Sequence, residues 1–228
     1  MKILVTGSAG KLGQWVVREL KSHQHHVTTF DLQAGAETVD RERIGDIEDL
    51  EEVADAAAGM DAILHLAGIR TPCRPQDCYG LSKVALEAVG RSFADRCGMT
   101  TVFIRAPWIA SPEELAEVAR NNGRPIKEFG LYHYIDVRDA AEACRLAIEV
   151  TLAGSHALFV GSGESSVSIP LAELFPQLAP AISNRAAKLT GNCGAVSIEC
   201  ARKLLGWAPL RSWRRDSALL RPVPLEAR

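Results

Sequence analysis

The chain has 228 residues, 47% hydrophobic and 24% charged, enough to bury one substantial core or a main domain with a small appended lobe, so a disordered chain is excluded. The formal net charge of −2, with Lys and Arg scattered, provides no basic stripe for a phosphate backbone, and no nucleic-acid partner is expected. The opening run "MKILVTG" reaches Gly too soon for a secretory leader, and no apolar run approaches the ~20 residues of a membrane span, so the expected setting is the cytoplasm, with no membrane partner.

In chain order the predicted elements alternate between strand and helix. "KILVTG" is β-rich, "GQWVVREL" has helical apolar spacing, "HVTTFDL" is strand-like, and "IEDLEEVADAAAGM" is a helix ending near Gly. "DAILHLAG" is nearly all apolar, the pattern of a parallel strand buried on both faces. A long helix continues past Lys83 through "VALEAVGRSFADRCG", followed by the strand "TTVFIRAP" and the helix "PEELAEVARNNG". "HYIDVRDAAEACRLAIE" then reads as strand end plus helix, "HALFVGSG" as strand and "SIECARKLLGW" as a late helix. This order predicts an α/β fold, a doubly wound Rossmann-like parallel sheet built from right-handed βαβ units. Residues 1–106 are assigned to the nucleotide-binding core, and residues 107–228 to the remaining sheet elements and a small, interleaved C-terminal substrate lobe.

"TGSAGKLG" places Gly7, Gly10 and Gly13 at the first strand-to-helix junction. Glycine there permits a tight turn, backbone approach to a pyrophosphate and close helix packing, while the helix N-terminus offers free N–H groups. Asp31 ends the next strand at the spacing of an acid that accepts the adenosine ribose hydroxyls, and its charge repels a 2′-phosphate, which favours NAD over NADP. The competing reading of Asp31 is a solvated strand-end residue. Tyr79 and Lys83, four apart, share a helix face, where an ammonium favours phenolate and draws the phenol toward a working range.

With these residues in place, the chain resembles an extended short-chain dehydrogenase/reductase of the NAD-dependent epimerase/dehydratase family. The matching motifs are "TGSAGKLG", "GDIED", "HLAG", "YGLSK", "YHYIDVRDAA", "FVGSGESSVSI" and "SIECARKLLGW", in family order over nearly the whole chain. "RPQDCYGLSKVALEAVGRSFADRCG" also resembles the uronate and aldose dehydrogenase branch. The resemblance implies that NAD is held by Gly7, Gly10, Lys11, Leu12, Gly13, Asp31, Asp46, Ile47, Leu66, Ala67, Gly68, Tyr79 and Lys83. It also implies a small sugar-type substrate, Tyr79 as acid/base and Lys83 also on the nicotinamide ribose. Family members dimerise through the Tyr helix and the helix that is missing here, which leaves two assemblies open: a smaller, altered homodimer through the helix 79–97, favoured by its surplus apolar positions, and a monomer.

In that family a long helix and a strand bearing a Ser or Thr stand between the HLA(A/G) strand and the Tyr helix. Here about ten residues, including Pro72 and Pro75, separate Gly68 from Tyr79, too few for either element. Thr71 is the nearest hydroxyl that could stand in for the missing one. The strand at 101–106 is expected to pair directly beside "AILHLAG". Two functions stay open: an NAD-dependent oxidoreductase, epimerase or dehydratase acting on a sugar, uronate or nucleotide-sugar, and an NAD-binding sensor or scaffold with little or no catalysis.

Other candidates are weaker. His23, His25 and His26 read as a solvated turn rather than a metal site, and no metal is expected. His65 reads as a hydrogen-bonded core residue, and His133 and Tyr134 as residues that could touch ligand. Trp15, Trp108 and Trp207 read as packing residues. The six Cys lack any C-x-x-C pair and read as reduced thiols.

Overall fold

A computed structural model describes residues 1–67, 76–123, 130–178 and 180–215, with the side chains of 76–79 and 182 outside the description. Its strands are β1 (Lys2–Thr6), β2 (His26–Asp31), β3 (Arg41–Ile44), β4 (Ala62–His65), β5 (Thr101–Arg105), β6 (Trp108–Ala110), β7 (Tyr134–Asp136) and β8 (Ser155–Phe159). Its helices are α1 (Lys11–Ser22), α2 (Leu50–Ala57), α3 (Gln76–Cys97), α4 (Pro112–Arg120), α5 (Val137–Glu149), α6 (Leu171–Leu178), α7 (Ser183–Ala186) and α8 (Glu199–Leu205). The chain divides into two compact units, one of Met1–Ile104 with Ala141–Leu158, the other of Arg105–Ala140 with Phe159–Arg228. Among the described residues no helix is long and apolar enough to cross a membrane.

The first unit is built on a parallel four-stranded sheet in the order β3-β2-β1-β4. Alternation along β1 sends Ile3 and Val5 to one face and Leu4 to the other. On the first face they pack with Val16, Val17 and Leu20 of α1, Leu64 of β4, and Ala141 and Cys144 of α5. Leu4 joins Phe30 and, from α2, Ala56 and Val53. Asp49 caps α2 by accepting the N–H groups of Glu51 at 3.0 Å and Glu52 at 3.1 Å, a cap worth about 1 kcal/mol.

Two expectations fail at β4. Only Leu64 is buried, whereas Ile63 on the opposite face is 51% exposed, because no described element covers that face here. Nor does β5 pair with β4: it is hydrogen bonded to β8, and β4 has β1 as its one strand partner among the described residues. Among the described residues β4 and β5 therefore belong to separate sheets. α3 is thinly covered. Gly90 admits the ring of Phe103 so closely that a Cβ would lie 2.3 Å from it, Ala94 is buried, and Leu81, Val84, Val89 and Phe93 stay exposed.

In the second unit β6 and β7 pair in parallel. α4 begins with a full capping box, Ser111 with Glu114, and Pro112 in its first turn. Its Leu115 and Val118 pack with Ala110, Tyr134 and Trp213. A second cluster gathers Tyr132, Val167, Leu171 and Phe175.

Candidate functional site

The glycine loop between β1 and α1 is shaped by three different contacts. Gly7 has φ +72°, and a Cβ there would stand 2.5 Å from the amide nitrogen of Ala67, so this residue lets the loop lie against the chain leaving β4. At Gly13 a Cβ would lie 2.2 Å from the Gly7 carbonyl oxygen and 2.7 Å from Cα of Ser8, which fixes close approach of α1 to the loop. Gly10 differs: its Cβ would meet only the Gly7 oxygen, at 3.2 Å, and faces open space otherwise. Gly10 is also the N-cap of α1, without a side-chain cap and with no acid in the first turn, so the helix N-terminus is open to an anion.

Asp31, at the end of β2, accepts the N–H of Ala9 at 3.0 Å. Its carboxylate therefore stands beside the loop. The donor set fits a dinucleotide. Of the remaining predicted contacts, Lys11 is exposed at the start of α1, Leu12 packs on the core of the unit, and Leu66 donates its N–H to the Thr6 carbonyl at 3.0 Å. The Asp46 carboxylate is exposed and accepts the N–H of Glu48 at 3.0 Å, while the Ile47 side chain packs with the Leu4 and Phe30 cluster. Gly68 and Thr71 lie outside the described residues.

Tyr79 and Lys83 both fall on α3, one turn apart; the Tyr79 side chain is outside the description. The Lys83 ammonium acts on His65, whose pKa is pushed below the ordinary imidazole value by desolvation and, second, by that charge. His65 ends β4, opposite Thr6 in the β1 register, and its Nδ1 is 2.8 Å from the Thr6 hydroxyl. Hydrogen bonding of His65 is as predicted, but its place in a buried core is not: the residue is exposed.

In the second unit, His133 and Tyr134 are buried, at 2% and 0% exposure, which corrects the expectation that they meet ligand. The Tyr134 hydroxyl donates to Glu164 at 2.6 Å, as does Ser212, and accepts the Trp213 N–H at 3.2 Å. Burial first, then the Glu164 charge, raises the phenol pKa far above its usual value. His133 sits between Gly161 and Gly194, where Cβ atoms would lie 2.6 and 2.9 Å from its Nε2, and neither ring nitrogen has a hydrogen-bond partner among the described residues. Sequence order put these residues near a substrate lobe; packing turned both side chains inward.

Each of the three histidines has its own partner: His23 bonds the Glu19 backbone carbonyl, His25 bonds the Glu149 carboxylate at 2.8 Å, and His26 lies 3.7 Å from the Asp40 carboxylate. Among the described residues no group of three or more His, Cys, Asp or Glu could hold a metal. Cys97, Cys144, Cys193 and Cys200 are free thiols. Trp207 is buried and donates to the Asp139 carbonyl at 3.1 Å, a packing role as predicted.

Several known proteins are similar to this chain. L-arabinose 1-dehydrogenase (NAD(P)(+)) of Haloferax volcanii is 26% identical over 138 residues, which make up 56% of this chain and 52% of that protein. The chain thus spans about half the length of that relative. UDP-glucose 4-epimerase of Corynebacterium glutamicum is 22% identical over 302 aligned positions covering 92% of this chain and 91% of the epimerase, so the epimerase has residues without counterpart here. A short-chain dehydrogenase/reductase superfamily protein from Agrobacterium tumefaciens, solved with bound NAD, superposes with a TM-score of 0.71 at 20% identity, over 96% of each chain. The family profile matches in two stretches, residues 3–72 and 69–161, which overlap within the short run between Gly68 and Tyr79. The chain belongs to the NAD dependent epimerase/dehydratase family.

Proposed function

We propose that the protein is an NAD-dependent oxidoreductase, epimerase or dehydratase of a sugar, uronate or nucleotide-sugar, with Tyr79 as the acid/base. The observation that carries this reading is the open space at Gly10, on the uncapped N-terminus of α1, with Asp31 held beside the loop. Gly7, Gly13, Ala67 and Leu66 shape the cradle, the loop and α1 N–H groups take the pyrophosphate, and Asp31 takes the adenosine ribose. NAD, when bound, supplies a hydride acceptor at nicotinamide C4. Tyr79 removes the proton from the substrate hydroxyl, and Lys83, one turn on, holds the phenolate and the nicotinamide ribose. Residues 1–106 serve the cofactor and 107–228 carry the substrate lobe, with Ala141–Leu158 returning to the first compact unit. Two copies associate through α3, whose Leu81, Val84, Val89 and Phe93 are exposed.

One observation favours a second reading, an NAD-binding sensor or scaffold with little or no turnover: the family match splits into two stretches that overlap at 69–72, within the run too short for the Ser/Thr-bearing strand. Turnover with NAD on L-arabinose, D-glucuronate, D-galacturonate and UDP-glucose separates the two. Tyr79→Phe should lower the rate by about 10²–10⁴ with NAD affinity nearly unchanged. Wild-type protein that binds NAD and converts none of these supports the sensor.

A further inference from the structure

The sheet order β3-β2-β1-β4 has its chain reversal between β1 and β4: the first three strands run outward on one side of β1, and the fourth is added on the other. In open parallel sheets the crevice outside the carboxyl ends of the strands at this reversal is where ligands bind. Thr6 and His65 are the carboxyl-terminal residues of those two strands, and they are joined by the 2.8 Å contact between hydroxyl and Nδ1. Two residues further on, the Ala67 backbone touches Gly7 of the phosphate loop. Lys83 of α3 is close enough for its charge to bear on the imidazole, lowering its pKa second to desolvation. His65 thus stands at the fold's natural binding crevice, between the glycine cradle and the helix of the acid/base pair, and it stays exposed while most of β1 is buried.

We propose that His65 is a substrate-contacting residue whose Nε2–H, set by the Thr6 hydroxyl bonding Nδ1, donates a hydrogen bond to the oxygen on the reacting carbon. This rests on the oxidoreductase reading above and adds to it a group that neither motif nor spacing marks. A hydroxyl that donates to Nδ1 leaves the proton on Nε2, so the second nitrogen of this exposed ring is a neutral donor. The charged groups bearing on the ring agree with that state: Lys83 from α3 disfavours a second positive charge, and β1 opposes it with the uncharged Thr6. A neutral donor fixed before substrate arrives stabilises negative charge developing on a carbonyl or alkoxide oxygen, at a typical worth of about 10²–10³ in turnover for one such donor. It also orients the substrate without competing with Tyr79 for the proton.

Two measurements decide the assignment. Long-range ¹H–¹⁵N NMR of the histidine rings, in the NAD-loaded full chain at pH 7, should show His65 neutral with the proton on Nε2, and Thr6→Val should erode that tautomer preference. In kinetics with the converted sugar, His65→Leu should lower kcat by about 10²–10³ with NAD affinity within a few-fold, and His65→Gln, which retains an amide donor, should recover part of the loss. Full turnover by His65→Leu, with Tyr79→Phe still defective, overturns this assignment and leaves the enzyme reading intact. If the wild-type protein converts none of the four sugars, the enzyme reading fails. The His65 ring signals then decide: a shift on adding those sugars to the NAD-loaded protein upholds contact with substrate, and no shift overturns it.

Discussion

Asp31 accepts the backbone N–H of Ala9 at 3.0 Å, so the acid that ends β2 is tied to the middle of the glycine loop. The side chain therefore holds the loop, beside its proposed role of facing the adenosine ribose. Calorimetry should show NAD binding more tightly than NADP. Asp31→Asn, which keeps an acceptor for Ala9 but loses the charge, should narrow the gap by relieving repulsion of a 2′-phosphate. Asp31→Ala should narrow it too and weaken both cofactors, because the loop loses its tether. Equal wild-type affinities would refute the role given to the carboxylate.

Gly13 and Gly10 should separate packing from binding. A methyl at Gly13 meets backbone at 2.2 Å that has no room to yield, so Gly13→Ala is expected to cost about 1–3 kcal/mol in urea denaturation, with cofactor binding lost alongside. Gly10→Ala meets a single atom at 3.2 Å and should fold nearly as wild type. Its methyl occupies the space a phosphate would take, and NAD affinity should fall at least about tenfold, or 1.4 kcal/mol. Equal NAD affinity in Gly10→Ala and wild type would place the pyrophosphate elsewhere.

His133 makes the second unit sensitive to acid. Burial lowers its folded pKa, while the unfolded chain regains an ordinary imidazole near 6.5. Above that pH both states are neutral and the residue contributes no pH dependence. As pH falls through 6.5 the unfolded state binds the proton first, so stability declines, at most by about 1.4 kcal/mol per pH unit, until the folded pKa is reached. Urea midpoints followed from pH 7.5 to 5 should show this slope, and His133→Asn should flatten it; an unchanged slope would assign the acid sensitivity to other groups.

The exposed side of α3 allows a clean test of association. Val84 is 65% exposed and Phe93 50%, so Val84→Glu with Phe93→Glu should barely alter the monomer's stability. If copies meet through this helix, light-scattering mass at micromolar concentration should be that of a dimer for the wild type and of a monomer for the double variant. A wild-type mass that stays monomeric as concentration rises would refute the dimer.

Much of the first unit was readable in the sequence because local pattern and tertiary demand agree there. The run into "TGSAGKLG" became β1, loop and α1, Asp31 fell at a strand end, and the Tyr79 and Lys83 spacing fell on one helix. The failures have particular causes. "AILH" looks doubly buried, but burial depends on what covers a strand, and the layer over Ile63 is supplied by no described element. β3, "RERI", carries three charged residues and, among the described residues, pairs only with β2, so it lacks the apolar signature of a strand. α6 holds Pro176 inside it, a local signal against helix, and is secured by Leu171, Leu174 and Phe175 packing inward. The Thr6–His65 contact joins residues 59 apart in sequence, and only strand order brings them together.

The tryptophans divide unevenly between the units, and this governs what an optical experiment on the protein would see. Trp108, Trp207 and Trp213 belong to the second unit, where the Trp207 and Trp213 indoles are buried and donate to the Asp139 and Ser165 carbonyls; the first unit has Trp15 alone. A fluorescence melting curve is therefore weighted toward the second unit, and partial opening around the glycine loop would pass nearly unseen. Trp15, on α1 two residues after Gly13 and with the Arg18 guanidinium 4.9 Å from its ring centre, is the one intrinsic reporter of events at the cradle. A chain retaining only that indole would give each unit's transition its own signal when compared with the intact protein.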